Sequence, residues 1–167
     1  AQLAALTAEM NPHLLFNALN TVASLIHGDP DRAEEVVLQL SALYRGVLRS
    51  SGSATHSLHD ELRLCEAYLE VERARFGERL AVSVEVDAAI DKGQIQVPVL
   101  ILQPFVENAI KHGLSHRARG GSVRLEVLRN GERIDALIED DGVGVGHSLE
   151  TGAGKAIGNC RERLALT

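Results

Sequence analysis

Apolar residues recur at helical spacing from Leu3 to Ile26 and predict a first helix over residues 3–26. Asp29-Pro30 then reads as an N-cap followed by proline at the first helical position. The helix it opens places Ala33, Val36, Val37, Leu40, Leu43, Tyr44, Val47 and Leu48 on its buried side and stops in Ser50-Ser51-Gly52-Ser53. Ser57 and Asp60 resemble a capping box with Asp in place of Glu. Leu58, Leu62, Cys65, Leu69 and Phe76 form one apolar face of a third helix whose other faces are densely charged, with Gly77 as its C-cap.

After Gly77 the period changes. Leu80, Val82, Val84 and Val86 alternate with polar or small residues, as in a half-buried strand. Pro98 is expected to open an apolar helix running to Gly113. Val123, Leu125 and Val127 alternate again, Asn130-Gly131 marks a tight hairpin, and Ile134, Ala136 and Ile138 return. A glycine-rich loop follows from Asp140 to Gly158, and a short helix, Asn159 to Leu166, ends the chain. The expected fold class is α+β: a helical region over 1–77 and a sheet-containing region over 78–167.

The first helix carries a proline and a histidine side by side, in Asn11-Pro12-His13. With about 100° per residue, Asn17, Asn20 and Ser24 fall within roughly 40° of His13. The opposite arc is apolar, so one polar seam holds the imidazole. Either the helix runs through Pro12 and kinks there, or Asn11 caps a helix that starts at Pro12. The spacing of Leu3, Leu6 and Met10 favours the kink. His13 is either a satisfied core histidine or a nucleophile; a neutral imidazole, with an ordinary pKa near ~6.5, can accept a phosphoryl group on nitrogen.

Composition narrows the field. The 167 residues are 45% hydrophobic, 24% charged and 3% aromatic, with a net charge of −6. An acidic chain poor in aromatic rings does not suit nucleic acid. The two cysteines, Cys65 and Cys160, read as small buried hydrophobes in a reducing, cytoplasmic setting. No apolar run approaches the roughly 20 residues of a membrane span. The chain begins at Ala1 and ends at Thr167 inside helical patterns, so it reads as a piece of a longer protein, attached to a membrane only through segments absent here. His56/His59 and His112/His116 have spacings a metal could use but lack a third ligand, and read as surface histidines.

A phosphoryl acceptor needs a nucleotide site. "QPFVENAIKHG" puts Glu107 and Lys111 four residues apart on one helix face, beside Asn108, whose amide oxygen suits Mg²⁺. Lys111 can balance phosphate charge. "DDGVGVG" follows a strand; Asp140 can accept from the exocyclic amine of adenine, while Gly142 and Gly144 let the backbone turn close to a flat base. "GAGKAIGN" then brings Gly152, Gly154 and Lys155 to a helix start, where exposed N–H groups suit phosphates. Each motif alone is weak; their fixed order is specific.

In that order, with Pro12-His13-Leu14-Leu15-Phe16-Asn17 at its head, the chain resembles the catalytic core of LytS-type sensor histidine kinases over nearly its whole length. The resemblance implies a Bergerat-type ATP-binding domain, shared with gyrase, Hsp90 and MutL, after a helical dimerisation region. It implies His13 as phosphoacceptor and Asn108 as Mg²⁺ ligand, with Glu107 and Lys111 beside it. Asp140, Gly142 and Gly144 become the adenine-binding box; Gly152, Gly154 and Lys155 lie in the lid over the phosphates, with Asn159 following. ATP and Mg²⁺ are the implied cofactors, and a second copy and a response-regulator receiver domain the implied partners.

The sequence departs from the family at Leu14, where Phe is usual, and at Ala156, where the lid usually has Gly. The family's ATP domain also continues past Arg161–Leu166 into further strands. No acidic residue follows His13 directly, so Glu9, Asn17 and Glu107 remain alternatives for its proton partner. Two other readings stand beside the kinase: a catalytically weakened ATP-binding scaffold, and an ATPase switch of the gyrase–Hsp90 type.

Overall fold

A computed structural model of the chain describes residues 12–50, 53–114 and 120–142. Helix α1 (Pro12–Leu25) and helix α2 (Pro30–Ser50) are joined by residues 26–29. The junction is the expected cap: the Asp29 carboxylate accepts from the Arg32 N–H at 3.0 Å, and Pro30 follows. The choice between a kink at Pro12 and a helix that starts at Pro12 under an Asn11 cap falls on residues outside the described part.

Along α2 the buried stripe is Ala33, Val36, Leu40, Leu43 and Val47. Val37 and Leu48, expected on that face, are 44% and 50% exposed. They lie roughly 80–100° round the helix from the stripe, beyond what α1 and α3 cover.

Strand β1 (Thr55–Ser57) pairs antiparallel with β3 (Gln96–Pro98). Ser57 ends β1 and caps helix α3 (Leu58–Phe76): its Oγ accepts from the Asp60 N–H at 3.1 Å and donates to the Asp60 carboxylate at 2.6 Å. Gly77, at φ 62°, closes α3 by donating to the Arg73 carbonyl. Helix α3 does not have the single apolar face expected. Leu64, Ala67, Tyr68 and Val71 are buried besides Leu58, Leu62, Cys65 and Leu69, together with the carboxylates of Glu61 and Glu72. It packs against α2 and also against the sheet and α4, so one stripe cannot serve both. Glu72 is held by Arg75, whose guanidinium lies 4.3 Å from the centre of the Phe76 ring.

A short 3₁₀ turn (Gly77–Arg79) leads to β2 (Leu80–Val86), and the sheet order is β2-β4-β5. Strand β4 (Gly121–Asn130) runs parallel to β2 and antiparallel to β5 (Arg133–Asp140). Val123, Leu125 and Val127 are buried in its inner face, opposite Val82, Val84 and Val86 on one side. On the other side stand Asp140, Ile138 and Ala136. Gly120, at φ 72°, lies so close to the 3₁₀ turn that a Cβ there would be 2.0 Å from the Arg79 carbonyl oxygen. The hairpin turns on Gly131-Glu132, one residue later than expected, because Asn130 still pairs with Arg133. Gly131 supplies the positive φ of 65°.

The helix expected from Pro98 starts later. Pro98 closes β3, Leu100 adopts a left-handed φ of 58°, and helix α4 spans Gln103–Asn108. A wider π-helical segment, Ala109–Leu114, continues it. One continuous hydrophobic core joins α1, α2, α3, α4 and the sheet. No helix among the described residues is long and apolar enough to cross a membrane.

Candidate phosphoacceptor and nucleotide site

Position 13 lies in the first turn of α1; the His13 side chain is outside the described part. Around it, α1 divides its apolar surface in two. Leu14 and Ala18 are buried against the core, with Thr21 beside them donating to the Asn17 carbonyl at 2.9 Å. Phe16, Leu19 and Ile26 are 65%, 50% and 52% exposed. By helical geometry position 13 falls at the boundary between the packed arc and the bare one.

Helix α4 holds the second group. Its first residues form no cap of their own: Leu102 at the N-cap has no polar side chain, and Pro104 has no N–H. The cap comes from α3 instead. The fully buried Glu61 carboxylate accepts the N–H groups of Leu100 at 2.9 Å, Leu102 at 2.7 Å and Gln103 at 3.2 Å. His56 Nε2 lies 2.6 Å from the same carboxylate. His56 is thus not the surface histidine expected: its side chain is 8% exposed, drawn in by Glu61.

One turn along α4, Gln103 Nε2 donates to Glu107 at 3.0 Å. The expected Glu107–Lys111 pair is not made. Glu107 is half-buried and bonded to Gln103, while Lys111 is exposed and pairs with no described residue. The charge of Glu107 is felt on α3. Burial pushes the Cys65 thiol well above its usual range, helped by Glu61, Glu66 and Glu107. Burial also pushes the Tyr68 phenol up, aided by Glu72 and Glu107 against a lowering by Arg75. Cys65 is the inert buried thiol expected. Asn108 is half-buried, and its side-chain amide bonds to no described residue.

The third group is at the end of β5. The Asp140 carboxylate accepts the Gly142 N–H at 2.9 Å, which begins the glycine turn. Asp141 takes the Ser122 N–H at 2.8 Å and ties that turn to β4. A Cβ on Gly121 would lie 2.4 Å from Leu114 and 2.3 Å from Asp141 Oδ1, so the π segment, the start of β4 and the end of β5 meet at one point. The structure therefore brings the end of the π segment, three residues beyond Lys111, up to the end of β5, beside Asp141. Gly144, Gly152, Gly154, Lys155, Ala156 and Asn159 lie outside the described residues, as do Glu9 and Cys160. A separate cleft of about 1210 Å³, lined by Arg45, Arg49, Arg63 and Val82, contains none of the expected nucleotide residues.

Sequence reasoning missed the buried Glu61 carboxylate and its contact with His56. The available signal was an acid in the first turn of α3, where a helix start favours a carboxylate, but nothing local shows that it is buried.

Residues 1–80 match the histidine kinase family model, and the chain is a histidine kinase region of the LytS type. It is 32% identical over 175 residues to the sensor protein LytS of Staphylococcus haemolyticus, covering 98% of this chain and 30% of that protein. It is 40% identical over 136 residues to the sensor histidine kinase BtsS of Escherichia coli K12, covering 81% of this chain and 24% of that one. The chain thus spans under a third of these relatives. The histidine kinase domain of a blue-light activated kinase from Erythrobacter litoralis shares the fold, with a TM-score of 0.50 and 22% identity, over 96% of this chain and 80% of that one.

Proposed function

We propose that the chain is the catalytic part of a sensor histidine kinase of a two-component system. It transfers the γ-phosphoryl group of ATP to His13, and then to an aspartate on a response-regulator receiver domain. The observation that carries this reading is the convergence of the π segment after Asn108 with Asp140-Gly142 at one end of the sheet. Asp140 receives the adenine amine, and Lys111 balances phosphate charge. Asn108 would hold Mg²⁺, which when bound neutralises phosphate oxygens. An N–P bond forms at His13 as the β–γ bridging P–O bond breaks and ADP leaves; the ring proton passes to Glu107 or to solvent. Gly142 and Gly144 make room for the base; Gly152, Gly154 and Lys155 close over the phosphates. We place the phosphoacceptor region in residues 1–77 and the ATP-binding region in 78–167, with α3 packing on both.

The bare arc of α1 and the exposed Val37, Leu38 and Leu48 of α2 support a homodimer that buries these side chains. Ala156 in the lid position favours one second reading, a weakened ATP-binding scaffold on the same fold.

Intact mass after incubation with Mg-ATP, with peptides mapped at neutral to alkaline pH because phosphohistidine is acid-labile, tests the kinase. A phosphoryl group on the peptide holding His13, abolished by His13→Gln, is the expected result. Nucleotide binding without phosphorylation would favour the scaffold; labelling that survives His13→Gln would refute the acceptor.

A further inference from the structure

The N-terminal end of α4 is buried and cannot cap itself. The Leu100, Leu102 and Gln103 residues are 7%, 9% and 8% exposed, so their N–H groups need partners within the protein. Glu61 satisfies all three from 39 to 42 residues away in the chain. Its two oxygens are fully used. Oε1 takes Leu102 and Gln103, while Oε2 takes Leu100 and meets His56. Leu100 is held in this turn at φ 58°, a conformation a leucine adopts only when its surroundings impose it.

We propose that Glu61 is a positioning residue for the nucleotide half of the site, setting where α4 begins and hence where Glu107 and Asn108 stand. This rests on the kinase reading for its consequence, though not for its geometry. The line of contacts is continuous. Gln103, whose N–H is on Glu61, passes its side-chain amide to Glu107, the neighbour of Asn108. Among the described residues the buried Gln103 Oε1 has no hydrogen-bond partner, so the bond to Glu107 is the side chain's one hydrogen bond there. Because Glu61 belongs to α3, which also packs on α2 and α1, the cap fixes the nucleotide residues relative to the helices that carry position 13.

The carboxylate is needed as such. A glutamine presents one oxygen and one NH₂, and its NH₂ would face either the Leu100 N–H or those of Leu102 and Gln103, donor against donor. An aspartate keeps the charge but is one methylene too short to reach all three.

The test is Glu61→Gln and the milder Glu61→Asp in the 167-residue chain, with two readouts. The first is amide hydrogen exchange. Leu100, Leu102 and Gln103 are expected to exchange about 10- to 100-fold faster, while Val123, Leu125 and Val127 keep their protection. The second is Mg-ATP affinity, expected to fall about tenfold in the same variants while the fold is retained. Faster exchange spread equally over the whole core, or none at the three amides, overturns the cap. Loosened amides with unchanged Mg-ATP affinity overturn the positioning role. A wild-type chain that binds no Mg-ATP refutes the kinase and scaffold readings together and removes the positioning role, while the exchange pattern still decides the cap. If Glu61→Gln fails to fold, Glu61→Asp gives both readouts.

Discussion

Asp140 and Asp141 are adjacent carboxylates with different attachments, and exchanging each for its amide separates binding from architecture. Asp140 accepts one hydrogen bond, from the Gly142 N–H at 2.9 Å, and is exposed. Asparagine keeps a side-chain oxygen for that bond, so Asp140→Asn should cost less than about 1 kcal/mol of stability. Its second atom becomes an NH₂, which would meet the adenine amine donor to donor. A hydrogen bond to a charged group contributes about 1.5–3 kcal/mol. Its loss predicts ATP affinity about 10- to 150-fold weaker. Asp141 instead ties the turn to the Ser122 N–H at 2.8 Å. Asp141→Asn should leave affinity within about threefold while lowering stability by about 0.5–1 kcal/mol. Titration calorimetry with a non-hydrolysable ATP analogue and urea denaturation measure the two quantities. Asp140→Asn with affinity within twofold of wild type, or with a loss of several kcal/mol in stability, would refute the assignment of Asp140 to the base.

Stability should also fall in alkali. Cys65 and Tyr68 have ordinary values of 9.0 and 10.0, and both are raised in the fold, chiefly by burial. Their contribution is therefore complete below about pH 8.5 and is lost as pH rises through the folded-state values, with each group contributing about 1.4 kcal/mol per pH unit in between. Denaturation midpoints from pH 8 to 10.5 should show the decline, and Cys65→Ala should flatten it; a flat wild-type profile would contradict the burial. Leu125→Ala, at a side chain with 0% exposure, should cost about 2–5 kcal/mol, whereas Leu137→Ala, 44% exposed on the outer face, should cost under about 1 kcal/mol. Equal losses would mean that the strand register is wrong. Phe16→Asp should leave the fold intact and shift the chain from dimer to monomer by light scattering; a wild type that is monomeric at high concentration would remove the dimer reading.

What could be read from the sequence was local in origin. Asp29-Pro30, Ser57 with Asp60, and Gly77 act within one helical turn, so residue type and spacing were sufficient for them. The alternation of Val123, Leu125 and Val127 likewise fixed which face of β4 is buried, and Asp140 with Gly142 stands where a motif after a strand should stand. Val37 and Leu48 were misplaced because an apolar residue in a helix does not state whether a partner reaches it. Glu107 and Lys111 have the right spacing for an ion pair. The choice between Lys111 and Gln103 was made by the burial of α4 against α3, which no local pattern records.

Glu61 is the instructive case. In sequence it is one acid among several on a charged helix, set apart from Glu66 and Glu70 only by its place in the first turn. In the fold Glu66 stays in solvent, Glu70 is half-buried against Arg73, and Glu61 is wholly enclosed. A buried carboxylate is destabilising unless its charge is met by donors. Here the donors are three N–H groups that would themselves be unsatisfied without it. The two deficits cancel only when α3 and the start of α4 are both in place. The same condition explains why the helix did not begin at Pro98: a start there would carry the N–H groups of Leu100, Leu102 and Gln103 away from Glu61 and leave the carboxylate buried without them. A burial cost on α3 thus sets the first residue of α4, and with it the position of Asn108.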